Sequence, residues 1–182
     1  NGQPYWGNGL ISPIKDENGQ VTHFLAIQED ITEKMQSEER IKYLAAYDEL
    51  TGVFNRTHFV KQLNEWISYA EANNRTGILV MVNLDKFKLI NDTYGHSVGD
   101  GLLRDVAGTL KGAVLEFYSA YKDKTAEEGA IVGRLGGDEF AILLPSREET
   151  EGILAAELIR KKIEAFRFAE ITGNLTSSIG VV

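Results

Sequence analysis

The chain has 182 residues, 43% hydrophobic and 25% charged, the balance of a folded globular protein. A formal net charge of −8 and a pI near 5.0 exclude the basic stripe of a nucleic-acid-binding surface, so no nucleic acid is expected as a partner; a nucleotide is still compatible if a metal ion screens its phosphates. The absence of cysteine rules out disulfides and thiolate metal sites, no basic-then-apolar leader opens the chain, and apolar runs such as GILVMV are too short to cross a bilayer. The expected location is cytoplasmic, with tethering through segments outside this piece left open.

Residues 1–30 read as β-rich. Turn signals at Asn8-Gly9 and at Asp16–Gln20 frame the apolar segments LISPI and VTHFLAI, which are expected to pair as a hairpin. Two or three strands bury too little surface to be stable alone, so this piece is expected to be the tail of a domain whose beginning is absent. From Ile31 to Tyr47 turn residues vanish and Glu, Lys, Arg, Met and Leu take over, predicting a helix with a loose apolar stripe of Ile31, Met35, Ile41, Leu44 and Ala45. A solvated connector and a short coiled coil pairing two copies both fit it.

After DELTGVFNR (48–56), a helix is expected to place Phe59, Leu63, Trp66, Ile67 and Ala70 on one face. GILVMVNLD (77–85) reads as a buried strand. A second helix gathers Leu102, Leu103, Val106, Ala107 and Leu110, and the polar stretch LEFYSAYKDKTAEEGA (115–130) reads as an exposed loop. A hairpin over 131–145, a helix with Ala155, Leu158, Ile159, Ile163 and Phe166, and a closing strand in LTSSIGVV complete the order. This predicts an α+β sandwich in which helices cover one face of a mainly antiparallel sheet.

The chemistry concentrates in two places. In IVGRLGGDEFAILLP, the pair Gly136-Gly137 suits a type I′ turn and leaves room for a ligand to approach the backbone. A good turn explains the glycines but not Asp138 and Glu139, because adjacent acids are poor strand formers and repel each other unless a cation is near. The second place is VNLDKFKLINDTYGHSVGD (82–100), where polar, loop-like sequence follows a strand and Asp85, Asp92 and Asp100 cluster with Asn83 and Asn91. Strand ends are where open sheets place ligands. Two such carboxylate-bearing ends could hold Mg²⁺, which prefers oxygen donors and shares its shell with substrate phosphates, and Lys88 could meet those phosphates as a point charge. For any one of these Asp or Asn residues alone a turn or a helix cap is the usual explanation, and two clusters on facing strand ends weigh against it. None of the three histidines has metal-ligand spacing, and Tyr94-Gly95-His96 reads as a packed turn.

With RLGGDEF (134–140), NLDKFKLINDTYGHSVGD (83–100), DELTGVFNR (48–56) and SSIGV (177–181) in this order, residues 48–182 resemble the GGDEF family of diguanylate cyclases. Residues 1–30 resemble the C-terminal end of a PAS sensor domain, and 31–47 the helix that links such sensors to GGDEF domains. The resemblance implies a palm-like α+β fold related to nucleotidyl cyclases, and condensation of two GTP molecules into cyclic di-GMP by a homodimer with one half-site per subunit. It implies Mg²⁺ (or Mn²⁺) held by Asp138 and the backbone carbonyl of Leu84. Glu139 would be the second acid, assisting metal binding or deprotonating the attacking 3′-hydroxyl. Asn91 and Asp100 match the guanine-reading pair; a carboxylate accepts from guanine N1–H and N2–H₂ while an amide donates to O6 or N7. Lys88, the amides around Phe87, and the Gly136-Gly137 turn match the phosphate-binding elements.

Three departures stand out. Asn83 occupies the position where the family usually carries a metal-bridging Asp, so weaker Mg²⁺ binding and reduced activity are expected. Glu127 and Ala130 replace the Arg and Asp of the family's product-inhibition motif, so feedback through that site is expected to be missing. The chain stops at SSIGVV, before the final helix and basic segment of the family, so the domain is expected to be C-terminally incomplete. These departures keep a second reading open: a degenerate domain that binds GTP and regulates a neighbour such as a phosphodiesterase domain. A plain dimerisation platform, the third reading, would leave the acids and the guanine pair without a role.

Overall fold

The computed structural model describes residues 2, 4–121, 130–146, 150–168, 171 and 175–182, and the chain divides into two units, Asn1–Leu44 and Ala45–Val182. In the first unit, β1 (Gly7–Lys15) and β2 (Val21–Asp30) form the expected antiparallel hairpin. Its turn closes because the Asp16 carboxylate accepts from the amides of Asn18 and Gln20, each at 2.9 Å. Apolar side chains of this hairpin, among them Leu10, Ile11, Phe24, Leu25 and Ile27, are exposed. The helix α1 (Thr32–Ala46) follows, its first turn met by the Asp30 carboxylate, which accepts from the Thr32 amide at 2.9 Å. No residue of α1 is buried.

The second unit runs β3 (Phe54–Asn55), α2 (Arg56–Asn73), β4 (Thr76–Leu84), α3 (Phe87–Tyr94), α4 (His96–Tyr121), β5 (Ile131–Gly136), β6 (Glu139–Ser146), α5 (Thr150–Ala165) and β7 (Ser177–Val181). It is a mixed α+β fold around a five-stranded sheet of order β3-β5-β6-β4-β7, antiparallel except for the short β3–β5 pairing. The interior strand β4, paired with β6 and β7, is apolar on both sides, as a strand covered on both faces must be. Ile78, Val80, Val82 and Leu84 join the main core with Leu102, Leu103, Val106, Ala107 and Leu110 of α4 and Ala155, Ile159 and Ile163 of α5. Leu79 and Met81 turn the other way, against Phe59, Leu63 and Trp66 of α2 together with Ala141 and Leu143 of β6. Each large side chain sealed in this way contributes roughly 1.5–3 kcal/mol.

Four expectations change. Helices cover both faces of the sheet rather than one, because α2 seals the face opposite α4 and α5. The stretch read as loop-like after β4 contains α3, and the turn expected at Tyr94-Gly95-His96 is the junction of two helices, broken where Gly95 takes φ 88°. Leu115–Tyr121 continues α4 instead of forming a loop, since Phe117 and Tyr118 are buried; Glu127 and the rest of 122–129 lie outside the described residues. Ile67 is 45% exposed, so the buried stripe of α2 is narrower than expected, and Phe166 lies just past the end of α5, partly buried against the core. Among the described residues, no helix is long and apolar enough to cross a membrane.

Candidate functional site

The β5–β6 register pairs Gly136 with Glu139, so the two-residue loop of the hairpin is Gly137-Asp138, one position later than expected. Positive φ falls on Gly136 (144°) and Gly137 (54°) but not on Asp138, so the turn is not type I′. A register shift between Arg134 and Gly136 absorbs the offset. Arg134 fastens this turn, donating from Nε and Nη2 to the Gly137 carbonyl at 3.0 and 2.7 Å. Its Nη1 donates to Asp48 Oδ1 at 3.1 Å, with both side chains largely buried at 14% and 24% exposure. Asp48 also accepts from the amide and hydroxyl of Thr51 at 2.9 and 2.6 Å. Burial alone would raise the Asp48 pKa; the Thr51 and Arg134 hydrogen bonds outweigh it and hold the carboxyl below its usual value.

The tip of β4 faces this turn. Asn83 pairs across the sheet with Glu139 on one side and Ser178 on the other, and the Leu84 amide donates to the Asp138 carbonyl at 3.3 Å. Asn83, Leu84, Asp138 and Glu139 are therefore brought together. By the two-residue alternation of strands, Asn83 and Glu139 share the face of Met81 and Ala141. Beside them lies an open groove of about 310 Å³ lined by Met81, Asn83, Glu139, Ser178 and Gly180 among others. A Cβ built on Gly136 or Gly137 meets nothing within 4 Å, so the space over the turn is free. Asp85 is engaged by Ser178, whose Oγ donates to Oδ1 at 2.7 Å; this bond, followed by one from Thr176, lowers its carboxyl pKa.

The third element is the α3–α4 pair. Lys86 adopts φ 59° at the start of α3 and offers no side-chain cap, so the first-turn amides of Phe87 and Lys88 have no intrahelical acceptor. Asn91 is half-buried; its Oδ1 is sealed from solvent without a hydrogen-bond partner. Its amide lies against Gly99, the residue before the exposed Asp100. Lys88 is exposed in the first turn of α3. The five-residue cluster expected from the sequence thus divides: Asn83 and Asp85 sit at the β4 tip, Asn91 and Asp100 at the α3–α4 junction, and Asp92 is exposed on α3. Arg134, Asp48, Ser178 and Gly99 carried no assigned role in the sequence.

A divalent cation would find oxygen donors here: the Asp138 and Glu139 carboxylates, the Leu84 carbonyl and the Asn83 amide oxygen. Among the described residues, no group of three or more His, Cys, Asp or Glu side chains gathers that could hold a metal ion. The donor set fits Mg²⁺ on the condition that substrate phosphates and water complete its shell, which is how Mg²⁺ is usually bound.

The family model described as "Diguanylate cyclase, GGDEF domain" matches residues 45–182. The chain belongs to the GGDEF family. It is 34% identical over 159 residues to diguanylate cyclase DgcM of Escherichia coli (strain K12), covering 86% of this chain and 35% of that protein. It is 32% identical to the cyclic di-GMP phosphodiesterase PdeR of the same organism, over 84% of this chain and 21% of that one. With the signaling protein YkoW of Bacillus subtilis (strain 168) it shares 30% over 96% of this chain and 20% of that one. The chain thus spans about a third or less of the length of these relatives. Among solved structures, the coiled coil and GGDEF domain of DgcB from Caulobacter crescentus, in complex with c-di-GMP, superposes with a TM-score of 0.68 at 26% identity, covering 82% of this chain and 75% of that one. The mixed α+β architecture with its antiparallel-rich sheet is that of GGDEF structures.

Proposed function

We propose that this GGDEF domain is a diguanylate cyclase that condenses two GTP molecules into cyclic di-GMP and pyrophosphate as a homodimer. The observation that carries the reading is the convergence of Asp138, Glu139, Asn83 and the Leu84 backbone at one sheet end beside an open turn. Asp138 and Glu139, with the Leu84 carbonyl and the Asn83 amide oxygen, would hold Mg²⁺ (or Mn²⁺). When bound, that ion supplies charge neutralisation on the phosphates and a lower pKa for the attacking hydroxyl. The free amides at the start of α3 and the Lys88 ammonium meet phosphate oxygens. Asn91 and Asp100 read the guanine edge, and the glycine turn lets the triphosphate lie against backbone. With one GTP seated on each of two facing copies, the 3′-hydroxyl of one attacks the α-phosphorus of the other. Glu139 accepts the hydroxyl proton, the new phosphodiester forms and pyrophosphate leaves; the reciprocal attack by the second 3′-hydroxyl closes the ring and releases a second pyrophosphate.

Asn83 favours a second reading. A neutral amide where a carboxylate would add charge weakens the hold on a divalent cation, which suits a domain that binds GTP and regulates an adjacent phosphodiesterase or other output domain. Incubation of the full-length protein with GTP and Mg²⁺, followed by chromatography for cyclic di-GMP, separates the two: product supports the cyclase, and GTP binding without product supports the regulator. Residues 1–30 and α1 are assigned in the same proposal to the end of a PAS sensor and its linker helix, acting in the cytoplasm; the exposed apolar hairpin supports this assignment.

A further inference from the structure

We propose that Gly99 is a specificity-positioning residue, whose missing side chain opens the notch that holds the Asn91 amide and so fixes which base the site accepts. The inference rests on the guanine-reading role proposed for Asn91. Phe87 and Asn91 stand one turn apart on α3 and so share the face that packs against α4 at Gly99. A Cβ built on Gly99 would fall on Asn91 Oδ1, 3.0 Å from its Cγ and 3.3 Å from Phe87 Cζ. Nothing in the backbone calls for glycine, since Gly99 lies inside α4 and is not among the positive-φ residues. Glycine is also the less favoured choice inside a helix. Space alone accounts for it.

What fills that space decides the consequence. At Gly133 an added Cβ would strike the buried Phe59 side chain at 2.6 to 2.8 Å, where nothing yields cheaply. At Gly99 the main obstacle is the end of a rotatable side chain, so a methyl group is accommodated by turning the amide. In the native arrangement Oδ1 is sealed without a partner; on this proposal the NH₂ is the end that meets a ligand. An outward NH₂ donates to O6 or N7 of guanine, whereas adenine presents its own N6 donor at the position of O6. Turning the amide removes this preference while leaving the fold intact.

The test is calorimetric binding, with Mg²⁺, of GTP, ATP and 6-thio-GTP, in which sulfur, a weak acceptor, replaces O6 while the N1–H and N2–H₂ that face Asp100 are kept, to wild type, Gly99→Ala, Asn91→Ala and the double variant. The expected result is a Gly99→Ala protein whose Tm equals or exceeds wild type, whose GTP affinity falls at least about tenfold, and which no longer separates GTP from the 6-thio analogue. The double variant should bind GTP no worse than Asn91→Ala, because the glycine acts through the amide. Unchanged discrimination in Gly99→Ala, beside its loss in Asn91→Ala, overturns the role of Gly99 alone. Wild type that does not discriminate at all overturns the guanine reading beneath it. Should Gly99→Ala fail to fold, refolding on addition of Asn91→Ala supports the notch, and continued unfolding assigns the clash to Phe87 and overturns it.

Discussion

Arg134 ties Asp48, 86 residues away in sequence, to the carbonyl of Gly137 in the acidic turn. One guanidinium thus fixes both the segment that leads into β3 and the loop that presents Asp138. Arg134→Ala should cost about 2–3 kcal/mol, between the ranges for exposed and fully buried pairs, and should weaken GTP binding as the turn loosens. Arg134→Lys should recover little, because an ammonium cannot reproduce the planar fork that serves both acceptors. Urea melts of the three proteins beside GTP titrations check this; full rescue by Lys would show that charge alone matters.

The same pair sets a pH response. The folded Asp48 pKa lies below the unfolded value, so its ionised form stabilises the protein above the unfolded pKa near ~3.9, and this contribution is lost as pH falls through the folded pKa. Asp48→Asn lacks the ionisation. Tm measured from pH 6 to pH 3 should show wild type more stable at pH 6 and the gap closing below about pH 4. Asp30 and Asp85 shift in the same direction but are present in both proteins, so the difference isolates Asp48. A gap that stays constant across the range would contradict the assignment.

Asn83→Asp should tighten Mg²⁺ and raise cyclic di-GMP production. A third carboxylate opposite Glu139 adds charge directly at the proposed cation, and a gain of about tenfold, or about 1.4 kcal/mol, is the expected scale. Initial rates across a Mg²⁺ series for both proteins give the answer, and coincident curves would remove Asn83 from the explanation.

Gly133→Ala should destabilise by about 1–3 kcal/mol through overpacking, because its Cβ would meet the Phe59 side chain at 2.6 to 2.8 Å. Phe59→Ala, which removes the Cγ and Cδ2 that are struck, should cost less in the Gly133→Ala background than in wild type. Chemical denaturation of the single and double variants measures both steps.

The elements most legible in the sequence were those with strong periodicity. β4, α4 and α5 follow directly from apolar spacing, and the hairpin at 131–146 from alternation around glycines. The placement of α2 was not legible: its stripe of Phe59, Leu63 and Trp66 shows that it is buried but not against which face of the sheet. α3 was hidden because Lys86 starts it without a capping side chain, and its Asn, Asp and Thr residues resemble a loop. In the site, Asp138 and Glu139 drew notice because acids are poor residues for a strand. Arg134 and Gly99 did not, since their partners lie at Asp48 and Asn91 and only tertiary packing joins them.

The central claim is that a divalent cation between the acidic turn and the tip of β4 seats GTP. Titration calorimetry of the full-length protein with GTP, in Mg²⁺ and then in EDTA, repeated with Asp138→Ala, tests it most directly. The account predicts binding in Mg²⁺ that weakens at least about tenfold both in EDTA and in the variant. Absence of heat, or equal affinity under all three conditions, would contradict it.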